Sequence, residues 1–409
     1  MVAFVTESEA PPTEQLDADY YQNPYGYLAR MREEGPVTPV VLPHGERVWL
    51  VTRYADVRAA LADPRLHKEW ASHMTPPDWV PDAEIGYLSV HMLNSDPPNH
   101  TRLRKLVSKA FTARRVAGLR PRVEAITASL LDTLEARAGA GEDVADLIEA
   151  FAFPLPVTVI CELLGVPAQD RDQFRRWSDA IVSDENEPGA FRAAGTAMFH
   201  YFTGLIAAKR AEPADDMVSA LIEARDSGDS LDEREMIAML FLLLVAGHET
   251  TTNLIASGTL ALLTNPAELD RLRADPSLLP GAVEELLRYV NPLNHATDRF
   301  TLEPAEIGGV TIPAREWVVC ATSAANRDPG RFPQPDRLDL NRDAGGHVAF
   351  GHGIHYCLGA PLARLEGEIA FGALLSRFPS LSLAVDPATL RWRHSSLIHG
   401  LETLPVRLR

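Results

Sequence analysis

Apolar residues recur at helical spacing through most of the chain from Pro98 to about Thr264. The periodic segments are Thr101–Ala110, Arg120–Ala138, Phe151–Leu164, Gln169–Val182, Ala190–Arg210 and Asp215–Ala224. Between two of them, Ser183–Gly189 reads as a polar, mobile tip. Ser230, with Glu233 three residues on, has the form of a capping box. It opens the longest helix, which runs to about Leu263 and stops before Asn265-Pro266. At the rise of an α-helix that is about 50 Å, enough to cross a whole domain. Further helices are expected at Ala55–Ala62, stopped by Asp63-Pro64, at Pro280–Tyr289 and at Ala360–Arg377. Strand-like stretches are Val48–Thr52, Asp298–Leu302, Glu306–Ile312 and Trp317–Thr322. Lys68–Pro98 shows no period, and a loop that long inside a compact domain is usually functional, often a lid. Residues 1–20 read as a frayed polar lead and 21–409 as one unit without repeats or linkers. The pattern predicts a mainly α protein with a minor β part.

The 409 residues are 46% hydrophobic and 23% charged, which excludes disordered, collagenous and membrane-spanning classes. A net charge of −17 makes the chain a poor partner for nucleic acid or anionic lipid. The apolar run Met236–Gly247 is shorter than the roughly 20 residues that span a bilayer. The N-terminus has no basic n-region, so neither signal peptide nor anchor is expected there. Cys161, Cys320 and Cys357 cannot form a disulfide framework, which points to a reducing, cytoplasmic setting.

Cys161 and Cys320 sit in apolar periodic segments and read as core. Cys357 is different. It lies in Phe350-Gly351-His352-Gly353-Ile354-His355-Tyr356-Cys357-Leu358-Gly359, just before a helix. The glycines let this backbone turn tightly and approach a ligand. A helix N-terminus lowers a thiol's pKa, as a thiolate ligand to a metal requires. Zinc on His352, His355 and Cys357 competes but lacks a fourth local ligand. A buried cysteine in a turn is the other alternative.

The ten residues resemble the cysteine-ligand loop of the cytochrome P-450 superfamily at every defining position, and the likeness extends from Trp49 to the C-terminus. The resemblance implies a single triangular domain with a long central helix, and b-type haem held by Cys357 as its thiolate ligand. It places Phe350, Gly351 and Gly359 of the loop, with Ala246 and Gly247 of the long helix, against the haem. His100, Arg104, Arg299 and His355 look like the residues that bind the two propionates. Glu285 and Arg288 form the family's E-x-x-R pair, and Arg337 looks like the arginine that locks it.

Ala246-Gly247-His248-Glu249-Thr250-Thr251 interrupts the apolar run, and polar residues there are costly without a purpose. They predict a local bulge or groove. By resemblance, Ala246 and Gly247 make room for dioxygen, Thr250 holds ordered water, and Glu249 belongs to a proton-delivery route. Retention of both Glu249 and Thr250 favours ordinary monooxygenation.

Between residues 97 and 123 there is no Asp or Glu, yet Arg102, Arg104, Lys105, Lys109, Arg114, Arg115, Arg120 and Arg122 are basic. The family reading is a docking face for an acidic ferredoxin, itself fed by a ferredoxin reductase; a solvated helix face is the plain alternative. Pocket walls by resemblance are Met92, Leu93, Leu242, Val245, Ala246, Leu293, Asn294, Leu397 and Ile398. Their apolar character suits a bulky hydrophobic substrate. Three segments (SDPPNHTRLRKLVSKAFT, LLLVAGHETT, AFGHGIHYCLGAPLARLE) look most like the actinomycete branch that hydroxylates or epoxidises macrolides and other secondary metabolites. Steroid, secosteroid or terpenoid hydroxylation, and a haem sensor without turnover, are the alternatives.

Overall fold

The computed structural model describes residues 13–74, 86, 88–109, 111–184, 189–226 and 231–409. Much of the expected lid, and the tip at 185–188, lie outside them. The main helices are α1 Pro24–Glu34, α2 Tyr54–Ala62, α3 Asn99–Ser108, α4 Ala113–Gly139, α5 Pro154–Leu164, α6 Arg171–Val182, α7 Ala190–Ala211, α8 Met217–Asp226, α9 Glu233–Leu263, α10 Pro266–Ala274, α11 Leu279–Val290 and α12 Ala360–Arg377. Their ends follow local chemistry. Asn23 caps α1 by accepting from the Gly26 N–H, with Pro24 in the first turn. Helix α9 has a capping box, but Asp232 and Glu235 form it, not Glu233 with Ser230, which lies outside the described residues. Helix α4 starts at the Thr112 cap and runs through Pro121, earlier than the sequence pattern places it. One lost backbone bond there is outweighed by burying Val116, Val123 and Ile126.

Strands β1 Glu14–Gln15, β2 Val37–Val41, β3 Arg47–Val51, β4 Leu66–His67, β5 Val144–Asp146, β6 Arg299–Thr301, β7 Ala305–Ile307, β8 Val310–Ile312, β9 Trp317–Cys320, β10 Ser382–Leu383 and β11 Pro405–Arg407 form three sheets. The largest has the order β1-β2-β3-β9-β6-β4. Strand β3 is apolar on successive residues because both sheet faces are covered. Trp49 and Val51 pack with Val57, Leu61 and Val318 on one side. Val48 and Leu50 pack with Leu28, Met31 and Val319 on the other. The expected strand Glu306–Ile312 is instead the hairpin β7–β8, turned at Gly308-Gly309. Residues 14–20 are not a frayed lead: β1 pairs with β2, and Leu16 and Tyr20 are buried in the sheet's core. Residues 1–12 of that lead lie outside the described residues.

Helix α9 is apolar nearly all round because α5, α7, α11 and α12 surround it. It is long and apolar enough to cross a membrane by length and composition, and 72% of that window is buried inside the protein. At Gly258 a Cβ would stand 2.6 Å from Phe371 of α12, so only glycine lets these two helices approach so closely.

Glu285 and Arg288 on α11 are fully buried. Arg288 donates from Nε and Nη2 to the two Glu285 carboxylate oxygens, at 2.6 and 2.8 Å. Its Nη1 donates to the Asn326 and Pro335 carbonyls. The arginine that locks this pair is Arg342, whose Nε donates to Glu285 Oε1 at 3.1 Å. Arg337 lends only its carbonyl oxygen. A turn accepting the Arg337 N–H at Gln334 leaves the Arg337 side chain in solvent, which corrects the assignment made from the sequence.

Breaking a buried pair from one side leaves an uncompensated charge. Arg288→Ala is therefore expected to cost about 3–5 kcal/mol of unfolding free energy. Arg337→Ala is expected to stay within about 0.5 kcal/mol. Denaturant unfolding of the two variants checks the contrast.

Candidate active site

Two segments carry the chemistry: the polar interval of α9 and the Cys357 turn that leads into α12. The turn is held by its own backbone. The Cys357 N–H donates to the Phe350 carbonyl at 2.9 Å, and the Tyr356 N–H to the Gly353 carbonyl. Gly351 and Gly353 adopt φ of 71° and 75°. Arg104 on α3 donates from Nη2 to the Tyr356 carbonyl at 2.6 Å, and Arg364 lies over the Phe350 ring.

The Cys357 residue is exposed, unlike Cys161 and Cys320. Atoms packed around the sulfur still raise its pKa by desolvation. The N–H groups of Gly359 and Ala360 and the charges of Arg104 and Arg364 act the other way and do not fully compensate. The helix end alone therefore does not make a permanent thiolate. A metal cation bound to the sulfur would supply the remaining stabilisation, since a coordinating thiol is deprotonated outright. Among the described residues no three His, Cys, Asp or Glu gather as a metal site, so His352, His355 and Cys357 form no zinc ligand set.

Helix α9 passes the interval 246–251 without a break. The expected bulge is absent, although side chains bond back along the helix. Thr250 Oγ1 donates to the Ala246 carbonyl at 3.0 Å, and Asn253 Nδ2 to the Glu249 carbonyl. Ala246 is exposed and Thr250 partly so, while His248, Glu249 and Thr251 are buried. One stripe of the helix thus opens and the other packs. Gly247 belongs to the packed side: a Cβ there would stand 2.9 Å from Ile160 of α5. Its missing side chain serves helix packing, which differs from the role expected by resemblance.

Glu249 is held between two partners. Its Oε2 accepts from Arg393 Nη1 at 2.9 Å, and its Oε1 stands 3.4 Å from His248 Nε2. Burial raises the carboxyl pKa, but His248 and Arg393 outweigh it and hold it at about 2. Arg393 Nη2 donates at 2.9 Å to Asp179 on α6, whose side chain is half exposed. A charged chain thus runs from Glu249 to the surface. On the other side of α9, burial raises Glu366 of α12 to about 8, with Thr251 bonded to it. Sequence reading missed Arg393, Asp179 and Glu366. Only the fold joins the first two, and Glu366 looks like an ordinary polar residue of an amphipathic helix.

The four expected anchors divide into near neighbours and a flank. His100 and His355 lie with ring centroids 4.4 Å apart. Both His100 ring nitrogens are buried without a partner. Burial lowers the pKa of His100, and it lowers that of His355 to about 2, where nearby cations add to the effect. Arg299 is buried and donates to the Thr297 carbonyl at 3.1 Å. Beside these lie Lys68 and His91, both buried and both missed, since each is a lone residue in an unpatterned loop. Orphaned imidazole nitrogens and clustered cations are the chemistry that two carboxylates would satisfy, so the residues present fit a haem with its propionates.

The proposed pocket walls fall into two groups. Met92, Leu93, Leu242 and Val245 share one apolar cluster. Leu293 and Ile398 are joined by a β-bridge outside that cluster, and Asn294 N–H donates to the Leu397 carbonyl. The Asn294 amide is turned onto the Ser396 carbonyl and is buried. Of the basic run, Arg102 pairs with Glu235, Arg120 with Glu368, and Arg122 with Glu162. Lys105, Arg114 and Arg115 are exposed.

The profile of the family described as Cytochrome P450 matches residues 14–188 and 191–392. The chain is 48% identical to the vitamin D(3) 25-hydroxylase of Pseudonocardia autotrophica, covering 97% of each protein. It is 45% identical to the 6-deoxyerythronolide B hydroxylase of Saccharopolyspora erythraea, covering 96% of this chain and 98% of that protein. The solved structure of the tirandamycin C-bound P450 monooxygenase TamI superposes with a TM-score of 0.89 at 50% identity, covering 97% of this chain and all of that one. A buried Glu285–Arg288 pair, an acid and alcohol on the central helix and an accessible Cys357 in its glycine turn agree with these matches: the chain belongs to the cytochrome P450 family and is a monooxygenase of that family.

Proposed function

We propose that the chain holds b-type haem on Cys357 and hydroxylates or epoxidises a bulky polyketide, such as a macrolide. The observation that carries this reading is the joint presence of the accessible Cys357 turn and the Glu249–Thr250 pair on one uninterrupted helix. A thiolate-bound haem supplies activation of dioxygen when it is bound. The rest falls to the chain. His100, Arg104, Arg299 and His355 bind the haem carboxylates. Arg104 also fixes the Cys357 turn through the Tyr356 carbonyl. Thr250 presents its hydroxyl oxygen on the open stripe of α9, where it accepts a hydrogen bond from water while its own O–H donates to the Ala246 carbonyl; turning that O–H to the stripe lets it donate there instead. Glu249 stays ionised at neutral pH as the acid of the proton route, and Arg393, which keeps its own protons, holds it in place and links it to the half-exposed Asp179. Leu242 and Val245 of the same helix, with Met92 and Leu93 of the same apolar cluster, are the walls that would keep water from the substrate. Electrons come, in the cytoplasm, from a ferredoxin and its reductase, docked where Lys105 and Arg115 are exposed. The hydroxylase acting on 6-deoxyerythronolide B and the tirandamycin-bound enzyme support a polyketide; the vitamin D(3) relative supports a secosteroid as the second reading.

Cys357→Ser is expected to abolish the red-shifted ferrous–carbon monoxide band and turnover. Cys161→Ser and Cys320→Ser should keep both. Titrating the purified protein with macrolactones, secosteroids and terpenoids should give its tightest spectral shift with a macrolactone; a secosteroid binding more tightly would replace the polyketide reading.

With the substrate so found, Thr250→Ala should still bind it and consume reductant. Product per electron pair should fall at least several-fold, and hydrogen peroxide should rise to match. Full coupling in that variant, with a substrate lacking a hydroxyl near the reacting carbon, would remove Thr250 from the proton route.

Reversing the charges of Lys105 and Arg115 should slow reduction by ferredoxin and flatten its salt dependence, leaving substrate affinity unchanged. Stopped-flow reduction across ionic strengths measures both.

A further inference from the structure

Lys68 follows β4 and is 2% exposed. Its Nζ donates to the Thr297 carbonyl at 3.0 Å, the Thr297 hydroxyl at 2.7 Å and the Asp298 carbonyl at 2.7 Å. All three ammonium protons are therefore spent on neutral oxygens. The Asp96 carboxylate does not reach Nζ within hydrogen-bonding distance: it accepts from the backbone N–H groups of Lys68 and Glu69 and from the His67 ring. Arg299 Nη1 donates to the same Thr297 carbonyl at 3.1 Å. Two buried cations thus share one acceptor and stand side by side. Around them His91 Nδ1 and both His100 ring nitrogens are buried without partners. Burial pushes the Lys68 ammonium pKa down, and Arg299 adds to that, while Asp298, Cys320 and Asp96 oppose it. The carboxylates of Asp298 and Asp96 offset part of the repulsion without a hydrogen bond to either cation, and like charges packed this way in an interior are a cost to the fold.

Given the haem reading above, we propose that Lys68 is a further binding determinant for the haem carboxylates, acting through its charge and by holding the Thr297–Arg299 segment, not by direct contact. The cost that Lys68 and Arg299 impose on the haem-free chain is returned when two carboxylates arrive. This role has a signature that a purely structural lysine lacks, because its effects on the two forms of the protein have opposite signs. Removing the charge relieves repulsion in the haem-free chain. In the loaded protein it removes an attraction for the carboxylates and favours the ferric state over the ferrous.

The test compares wild type, Lys68→Met and Lys68→Arg, each prepared with and without haem. Haem is quantified as its pyridine complex, and its release is followed by transfer to excess apomyoglobin. Lys68→Met should release haem roughly tenfold faster. It should shift the ferric/ferrous midpoint negative, and it should raise the melting temperature of the haem-free chain. Lys68→Arg should stay close to wild type in all three. The proposal is overturned if Lys68→Met melts lower in both forms with unchanged release and midpoint. It is equally overturned if that variant fails to fold, since the haem-free chain is expected to gain stability. Wild type that takes up no haem b would instead overturn the haem reading itself.

Discussion

Arg288 has no water to donate to, and much of the proximal structure follows from that. A guanidinium wholly inside a protein must place every N–H on an oxygen or pay heavily for desolvation. Arg288 does so by gathering Glu285 on its own helix and the carbonyls of Asn326, Pro335 and Arg337 from an irregular stretch with little regular structure of its own. Arg342 closes the arrangement on Glu285. The Asn326 side chain then accepts the Val348 N–H at 2.7 Å, and the Val348 carbonyl accepts the Gly351 N–H. Orientation passes by these bonds from a buried ion pair to the turn that presents Cys357.

Helix α9 meets a related constraint in another way. It must be apolar to sit among four other helices, yet it carries an acid. Glu249 is tolerated because His248 and Arg393 stand against its two oxygens, and because Asp179 occupies the other end of Arg393. The acid is thus connected to solvent by charge without being exposed to it. Thr250 and Asn253 remove a second difficulty by bonding to the carbonyls one turn back, so the helix need not open to satisfy them.

The long helix, the last helix from Ala360 to Arg377 and the distinctive cysteine were legible because each rests on local signals: an unbroken apolar period, a cap, a glycine turn. The bounds of α12 match the pattern to the residue. What was illegible depends on distant partners. Arg337 and Arg342 lie five residues apart in one loop, and only the turn at Gln334 decides which faces Glu285. Lys68 and Arg393 carry no pattern, since their partners Thr297 and Glu249 lie 229 and 144 residues away. Helices α1 and α10 went unread because both are short and mostly polar. Leu16 and Tyr20 were read as a loose lead because a two-residue strand has no period to detect.

Gly247 bears on how this site can vary. The space of its missing side chain is taken up by Ile160, which would have to shift for any Cβ at 247. Larger residues at 247 would meet Ile160 of α5 first. Ala246 and Val245 carry no such obligation on their accessible sides. Room for larger side chains is therefore confined to one edge of the helix, and the opposite edge is tied to its neighbour like a tongue in a groove.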